Sequence, residues 1–339
     1  MSSRIDDELE QVLAAGAAAY QFTSGGSFIL DADPNPRPLW GIDDQVLLSS
    51  GEALIIAGGQ GTGKTTLAQQ LALGRCGFPE YAELLGFPVA PGKRRTLYLA
   101  MDRPQQAARS FRRMVGEAWR SELDARLAVW PGPPPYDMAR HPAILLRLCE
   151  QAGADTVVVD SLKDAAIGLT DDEVGAGYNR ARQTAIASGV EVIELHHQRK
   201  SVSGKGGETT GIDDLYGSTW LPSGAGSVLL LTGNPGDPVV GVRHLKQPAS
   251  EVGPLQIVHD HGAGRSQVWH AADLVVLAKQ PGGITAQDAA SALFDTDKPS
   301  PAEREKARRR LERLVSAGSL MVLDHGDKTS SKAARWEAA

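Results

Sequence analysis

The stretch GGQGTGKT at residues 58–65 limits what this 339-residue chain can fold into more than any other feature. Gly58, Gly63, Lys64 and Thr65 satisfy the spacing GxxxxGK[ST]. The apolar run ALIIA (53–57) precedes the motif and TTLAQQLAL follows it, so the order is strand, glycine loop, helix. That order has a chemical purpose. Glycines let successive backbone N–H groups converge on phosphate oxygens at a helix N-terminus, where the peptide dipoles also favour negative charge. The cradle is predicted to consist of Gly58, Gly59, Gln60, Gly61, Thr62, Gly63, Lys64, Thr65 and Thr66. Lys64 is expected on the β and γ phosphates and Thr65 on Mg²⁺, which makes ATP and Mg²⁺ the predicted ligands. The bland alternative is a glycine turn before a core helix, which requires neither the lysine nor the hydroxyl.

Further short apolar runs recur at 96–100 (TLYLA), 156–160 (TVVVD), 190–196 (VEVIELH) and 227–232 (SVLLLT). Helix-compatible stretches such as 65–75 and 139–152 separate most of them. Strand–helix alternation with strands apolar on both faces implies a mostly parallel sheet covered by helices, an α/β fold. Beyond 232 the runs 238–247, 254–260 and 267–271 follow one another through turns, as antiparallel strands at one end of the sheet would. From about residue 280 the order becomes TAQDAASALF, then SPAEREKARRRLERLVSAG, then SLMVLDHGDKTSSKAARWEA. Helix, helix and β-wing in that order predict a small winged-helix domain. The expected division is a lead-in segment at 1–45, an ATPase core at 46–272 and the winged-helix domain at 280–339.

Composition narrows the class. With 42% hydrophobic and 22% charged residues the chain reads as an ordinary globular protein. Cys76 and Cys149 show no CxxC or Cys/His spacing, so reduced core thiols are expected rather than a disulfide framework or a zinc site. No apolar run approaches a membrane span, and the N-terminal MSSRIDDELEQ lacks the order of a signal peptide, so a cytoplasmic protein is expected. A net charge of −6 argues against a uniformly basic nucleic-acid binder but allows local basic loops.

Three strand ends add to the phosphate loop. TVVVDS delivers Asp160 at the carboxyl end of a strand, where open α/β sheets hold their ligands; it reads as the Walker B aspartate, a second holder of Mg²⁺. TLYLAMD delivers Asp102, a candidate base for the attacking water; the alternative is that it pairs with Arg103 or caps the next helix. VEVIELHH delivers His196 and His197, of which one should face the site and one away, with His197 the candidate that senses the γ phosphate.

Together GGQGTGKT, LYLAMD, VVVDSLKDA, ELHHQRK, YGSTWLPSGAGSVLLL and VRHLKQP resemble the RecA-like hexameric replicative helicases, in particular RepA-type relatives of the DnaB group, P-loop ATPases of the AAA_25 kind. The resemblance spans roughly residues 39–262. It implies a RecA-like core and a homo-oligomeric ring, hexameric in the family's manner, in which a Lys or Arg of one subunit reaches the nucleotide of the next. Arg243 and Lys246 of VRHLKQP occupy that region, and either is open as the trans-acting residue. The family usually has Glu where this chain has Asp102.

Two loops follow catalytic strands, 164–179 and 198–217. The second carries Arg199, Lys200 and Lys205, predicted to contact phosphates of single-stranded DNA, although Glu208, Asp213 and Asp214 offset the charge. The basic helix 301–317 interleaves Arg with Glu, so DNA contact competes with a packing role or with docking of replication partners. The leading expectation is an ATP-dependent DNA helicase. A RecA-like recombination or repair ATPase and an ATP-gated DNA-binding regulator are the alternatives.

Overall fold

The structure is a computed structural model that describes residues 22–199, 211–237, 239–260, 262–269, 274–294, 296–326 and 333–339. Its main elements are β1 (Pro38–Ile42), β2 (Gln45–Ser49), β3 (Ala53–Gly58), α1 (Lys64–Cys76), β4 (Arg95–Ala100), α2 (Pro104–Met114), β5 (Leu127–Pro131), α3 (Ala143–Ala152), β6 (Ala154–Asp160), α4 (Asp172–Ala187), β7 (Glu191–His197), β8 (Ser227–Thr232), β9 (Val239–Lys246), β10 (Leu255–Asp260), β11 (Arg265–Val268), β12 (Ile284–Thr285), α5 (Ala286–Phe294), α6 (Pro301–Ser316), β13 (Leu320–Asp324) and β14 (Arg335–Ala338).

Among the described residues, nine strands form one sheet in the order β11-β10-β9-β8-β3-β7-β6-β4-β5. Pairing is parallel from β8 through β5 and antiparallel from β8 through β11, the division the sequence predicts. The central strands are apolar throughout because helices cover both faces. On one face Ile55, Leu99, Val157 and Val192 pack with Leu145 and Leu148 of α3 and Tyr178 and Ala181 of α4. On the other, Leu54, Ile56, Tyr98 and Val158 pack with Leu67 and Leu71 of α1. Alternation along each strand sends neighbours to opposite sides, so one apolar run serves two cores.

Three expectations need adjustment. The lead-in was expected to extend to residue 45, yet β1 and β2 form a hairpin that belongs to the packed body. Trp40 is fully buried and its indole N–H donates to the Leu84 carbonyl at 2.9 Å. The run 164–179, read as a loop, is largely helical. Asp171 caps α4 by accepting from the backbone N–H of Glu173 (2.8 Å) and Val174, a start signal its glycines concealed. The edge strand β5 has no counterpart in the sequence reading, because LAVWP is half-exposed and short.

At the C-terminal end, β12, β14 and β13 make a three-stranded antiparallel sheet against α5 and α6, with a hydrophobic cluster of its own around Leu274, Ile284, Leu311 and Trp336. A capping box starts α6: the Glu303 N–H donates to Ser300 Oγ at 3.3 Å, and the Ser300 N–H donates to the Glu303 carboxylate at 2.6 Å. Glu305 and Glu312 take up Arg308, and Glu305 also takes Arg309. Lys306 pairs with Glu251 of the main body at 2.8 Å. Interleaved acids therefore engage two of the basic side chains, Arg308 and Arg309, and Glu251 engages a third. No helix among the described residues is long and apolar enough to cross a membrane.

Candidate nucleotide-binding site

The phosphate loop joins β3 to α1. Gly61 and Gly63 have φ of 77° and 88°, left-handed backbone that favours glycine, and Gly63 is the N-cap of α1. A Cβ on Gly58 would lie 2.6 Å from the Leu231 carbonyl of β8, so this glycine answers to close strand packing. The loop is held together internally. Thr62 Oγ1 donates to the Gly59 carbonyl at 2.9 Å, and Lys64 Nζ donates to the carbonyls of Gly58 at 3.0 Å and Gly59 at 2.5 Å.

Burial lowers the Lys64 pKa to about 8, against the partly offsetting attraction of Asp160. The folded value lies below the ordinary 10.5, so the charged lysine costs stability below about pH 8. That cost fades as pH rises from 8 to 10.5, where the folded chain has lost the proton and the unfolded chain still binds it. Lys64→Met is expected to raise stability at pH 7 by up to ~3 kcal/mol, with the gain vanishing near the upper end of that window. Urea midpoints of both chains at pH 7 and pH 10 measure it; a gain that grows with pH would contradict this placement of the charge.

β6 ends at Asp160, paired in register with Ala100 of β4. Asp160 Oδ2 accepts from Thr65 Oγ1 at 3.3 Å and from the Tyr98 hydroxyl at 2.7 Å. The carboxyl pKa is raised, chiefly by burial, while both hydrogen bonds and Lys64 pull it back. The Tyr98 pKa is raised well above its ordinary range by burial and by Asp160, so Tyr98 remains a hydrogen-bond donor. Sequence reading missed Tyr98. Its signal was a phenol in the middle of a run otherwise apolar, TLYLA.

Strand order places β7 between β3 and β6, with His197 beside Gly58 in register. His197 lines the cleft, and its pKa is lowered by burial and then by the charges of Lys64 and Lys163. The imidazole is therefore held toward its neutral form. His196 points elsewhere: it is buried, its Nε2 donates to the Tyr216 carbonyl, and burial lowers its pKa to about 4. One histidine faces the cleft and the other is structural.

Asp102 lines the same cleft, two residues beyond β4. Its carboxylate also pairs with Arg103 Nε at 3.0 Å, and both side chains are well exposed. The N-cap of α2 is Arg103, so the capping alternative for Asp102 does not apply. The cleft measures about 400 Å³ and brings together Lys64, Thr65, Asp102, Asp160 and His197, with Arg109 and Arg113 of α2 also in its lining.

The remaining candidates lie apart from that lining. Arg243 is exposed on β9. Lys246 Nζ donates to the carbonyls of Ser223 at 2.8 Å and Pro222 at 3.3 Å. Arg199 donates to the Gly217 carbonyl at 3.1 Å, two residues beyond the end of β7. Lys200 and Lys205 lie outside the described residues.

The donor set suits a hard divalent cation, since a hydroxyl and a carboxylate oxygen already meet at one point. No curated protein matches the chain. The AAA_25 family model, an AAA domain, matches residues 21–203, more than half of the sequence and all of the strands that carry the cleft. Members of this family generally use ATP and Mg²⁺. The chain belongs to the AAA_25 family of P-loop ATPase domains.

Proposed function

We propose that the chain is an ATP-hydrolysing DNA helicase or translocase working as a ring, with Mg-ATP bound where subunits meet. The observation that most supports hydrolysis is the convergence of Lys64, Thr65, Asp102, Asp160 and His197 on one cleft at the carboxyl ends of parallel strands. Thr65 and Asp160 would hold Mg²⁺, which when bound spreads the charge of the β and γ phosphates. Asp102 orients a water and accepts its proton as the water oxygen bonds to the γ phosphorus and the bond to the β,γ-bridging oxygen breaks. Lys64 neutralises charge building on the leaving diphosphate. Neutral His197, next to Gly58 on the interposed strand, can exchange a hydrogen bond with the γ phosphate and pass its loss to the segment that begins at Arg199.

Of the two trans candidates Arg243 is favoured, because the Lys246 ammonium is already engaged by carbonyls of its own chain. DNA movement rests on the motif resemblance and on the basic residues Arg199, Lys200 and Lys205. We read 280–339 as a winged-helix unit for replication partners, given the acids already paired along α6.

The deciding measurement is the ATPase rate with and without single-stranded DNA, beside electron micrographs of the same sample. Stimulation by DNA together with closed rings is expected. Filaments that grow on DNA would replace the helicase reading with a recombination ATPase, and binding without turnover would replace it with an ATP-gated regulator. Arg243→Ala should bind nucleotide normally and turn over slowly, with activity recovered on mixing with a Lys64→Ala partner.

A further inference from the structure

β10 carries His259 beneath the phosphate loop, from a part of the chain almost two hundred residues away in sequence. The ring is buried. Its Nε2 lies 3.0 Å from the Thr62 carbonyl and its Nδ1 lies 2.8 Å from Ser266 Oγ. The contact is close enough that a Cβ on Gly63 would come within 2.1 Å of the imidazole. Gly63 thus meets two demands, a left-handed backbone and the face of this ring.

Hydrogen-bond roles follow from the partners. A carbonyl only accepts, so Nε2 carries the hydrogen toward Thr62, and in the neutral ring Nδ1 accepts from the Ser266 hydroxyl. Ser266 is itself clasped by Gln70 of α1: its N–H donates to Gln70 Oε1 at 2.6 Å, and its carbonyl accepts from Gln70 Nε2 at 3.4 Å. Loop, edge hairpin and the helix that Lys64 begins are joined in a closed circuit.

That circuit bears on phosphate chemistry through one peptide unit. The Thr62–Gly63 bond is trans, and in a planar trans peptide the C=O and the following N–H point in opposite directions. Anchoring the Thr62 carbonyl on His259 turns the Gly63 N–H away from the hairpin, to the side where Gly63, Lys64 and Thr65 line the cleft. We propose that His259 is a positioning residue: through its Nε2–H, oriented by Ser266, it fixes the Thr62–Gly63 peptide so that the Gly63 N–H is preset for an anionic phosphate oxygen. This rests on the nucleotide-binding reading above.

Two readouts test it on the full chain. In hydrogen–deuterium exchange without nucleotide, His259→Ala should speed exchange across residues 58–65 and leave 95–100 unchanged. In titration with a fluorescent ATP analogue the same variant should bind about tenfold more weakly, the loss of one oriented hydrogen bond to a charged group. His259→Gln, whose amide can reach Thr62 with an N–H, should recover most of that loss. Unchanged loop exchange and affinity in a folded His259→Ala chain overturn the proposal. So does a His259→Gln chain that is as stable as wild type but binds as weakly as His259→Ala. Should His259→Ala not fold, Ser266→Ala keeps the ring and removes only what orients it; a partial loss on both readouts is expected, and no change overturns the proposal. A wild-type chain that binds no nucleotide defeats the proposed function instead, and loop exchange alone then decides the role of His259.

Discussion

Lys64→Ala is expected to lower ATP turnover by a factor of about a hundred or more, the scale on which preorganised charge stabilises a transition state. The ammonium is nearly buried, supported by the Gly58 and Gly59 carbonyls, and opens α1 at the mouth of the cleft. Nothing else among the loop's own residues supplies a positive charge. The fold should survive the change, because removal of a desolvated charge offsets the two hydrogen bonds lost. A coupled ATPase assay read beside a melting curve separates the two effects. Turnover within a few-fold of wild type would remove Lys64 from the site, and a collapse of the melting transition would make the loss structural. Asp160→Ala belongs with it but should differ in kind: turnover disappears while nucleotide binding without Mg²⁺ persists.

The largest expected effect on stability lies behind β7. Arg182 of α4 and Glu194 of β7 form an ion pair in which both side chains are 0% exposed. Arg182 Nε and Nη2 reach the two carboxylate oxygens at 2.9 and 2.7 Å, its Nη1 donates to the Leu221 carbonyl at 2.8 Å, and the Tyr178 hydroxyl donates to Glu194 at 2.9 Å. Arg182→Ala leaves a buried carboxylate without its counter-charge, which costs about 3–5 kcal/mol in comparable cases. Replacing both partners with apolar residues of similar volume should cost much less than either single change, because no charge is then stranded. Urea denaturation of the single and double variants measures this directly. A single variant that loses under ~1 kcal/mol would mean water reaches the pair.

Much of the sheet was legible in the sequence because its strands are apolar on both faces. Runs such as ALIIA and TVVVD are short, β-branched and bounded by turns, and so are hard to mistake. What escaped notice was whatever depended on partners distant in the chain. Trp40 looked like part of an extended lead-in because its burial depends on Leu84, and LAVWP went unread as a strand because one face meets solvent. Asp171 was lost among glycines although it is an ordinary N-cap. The site divides the same way. Lys64, Thr65 and Asp160 announce themselves by local spacing, whereas Tyr98 and His259 touch the same machinery from strands whose pairing no local pattern encodes. For Arg243 and Lys246 the structure added what the sequence could not, that one ammonium is occupied at home and the other cation is exposed.

The family match ends at residue 203, yet β3 has neighbours on both sides, β7 within the match and β8 beyond it. A truncation at the end of the match would strip β8 away and leave Ala53–Gly58 as an open sheet edge, with its backbone hydrogen-bonding groups bare along one side and Leu54 and Ile56 uncovered on their flank. Such an edge recruits strands from other molecules and precipitates. The segment recognisable by descent is therefore shorter than the sheet around its central strand, and a piece that keeps β3 paired on both sides reaches through Ser227–Thr232.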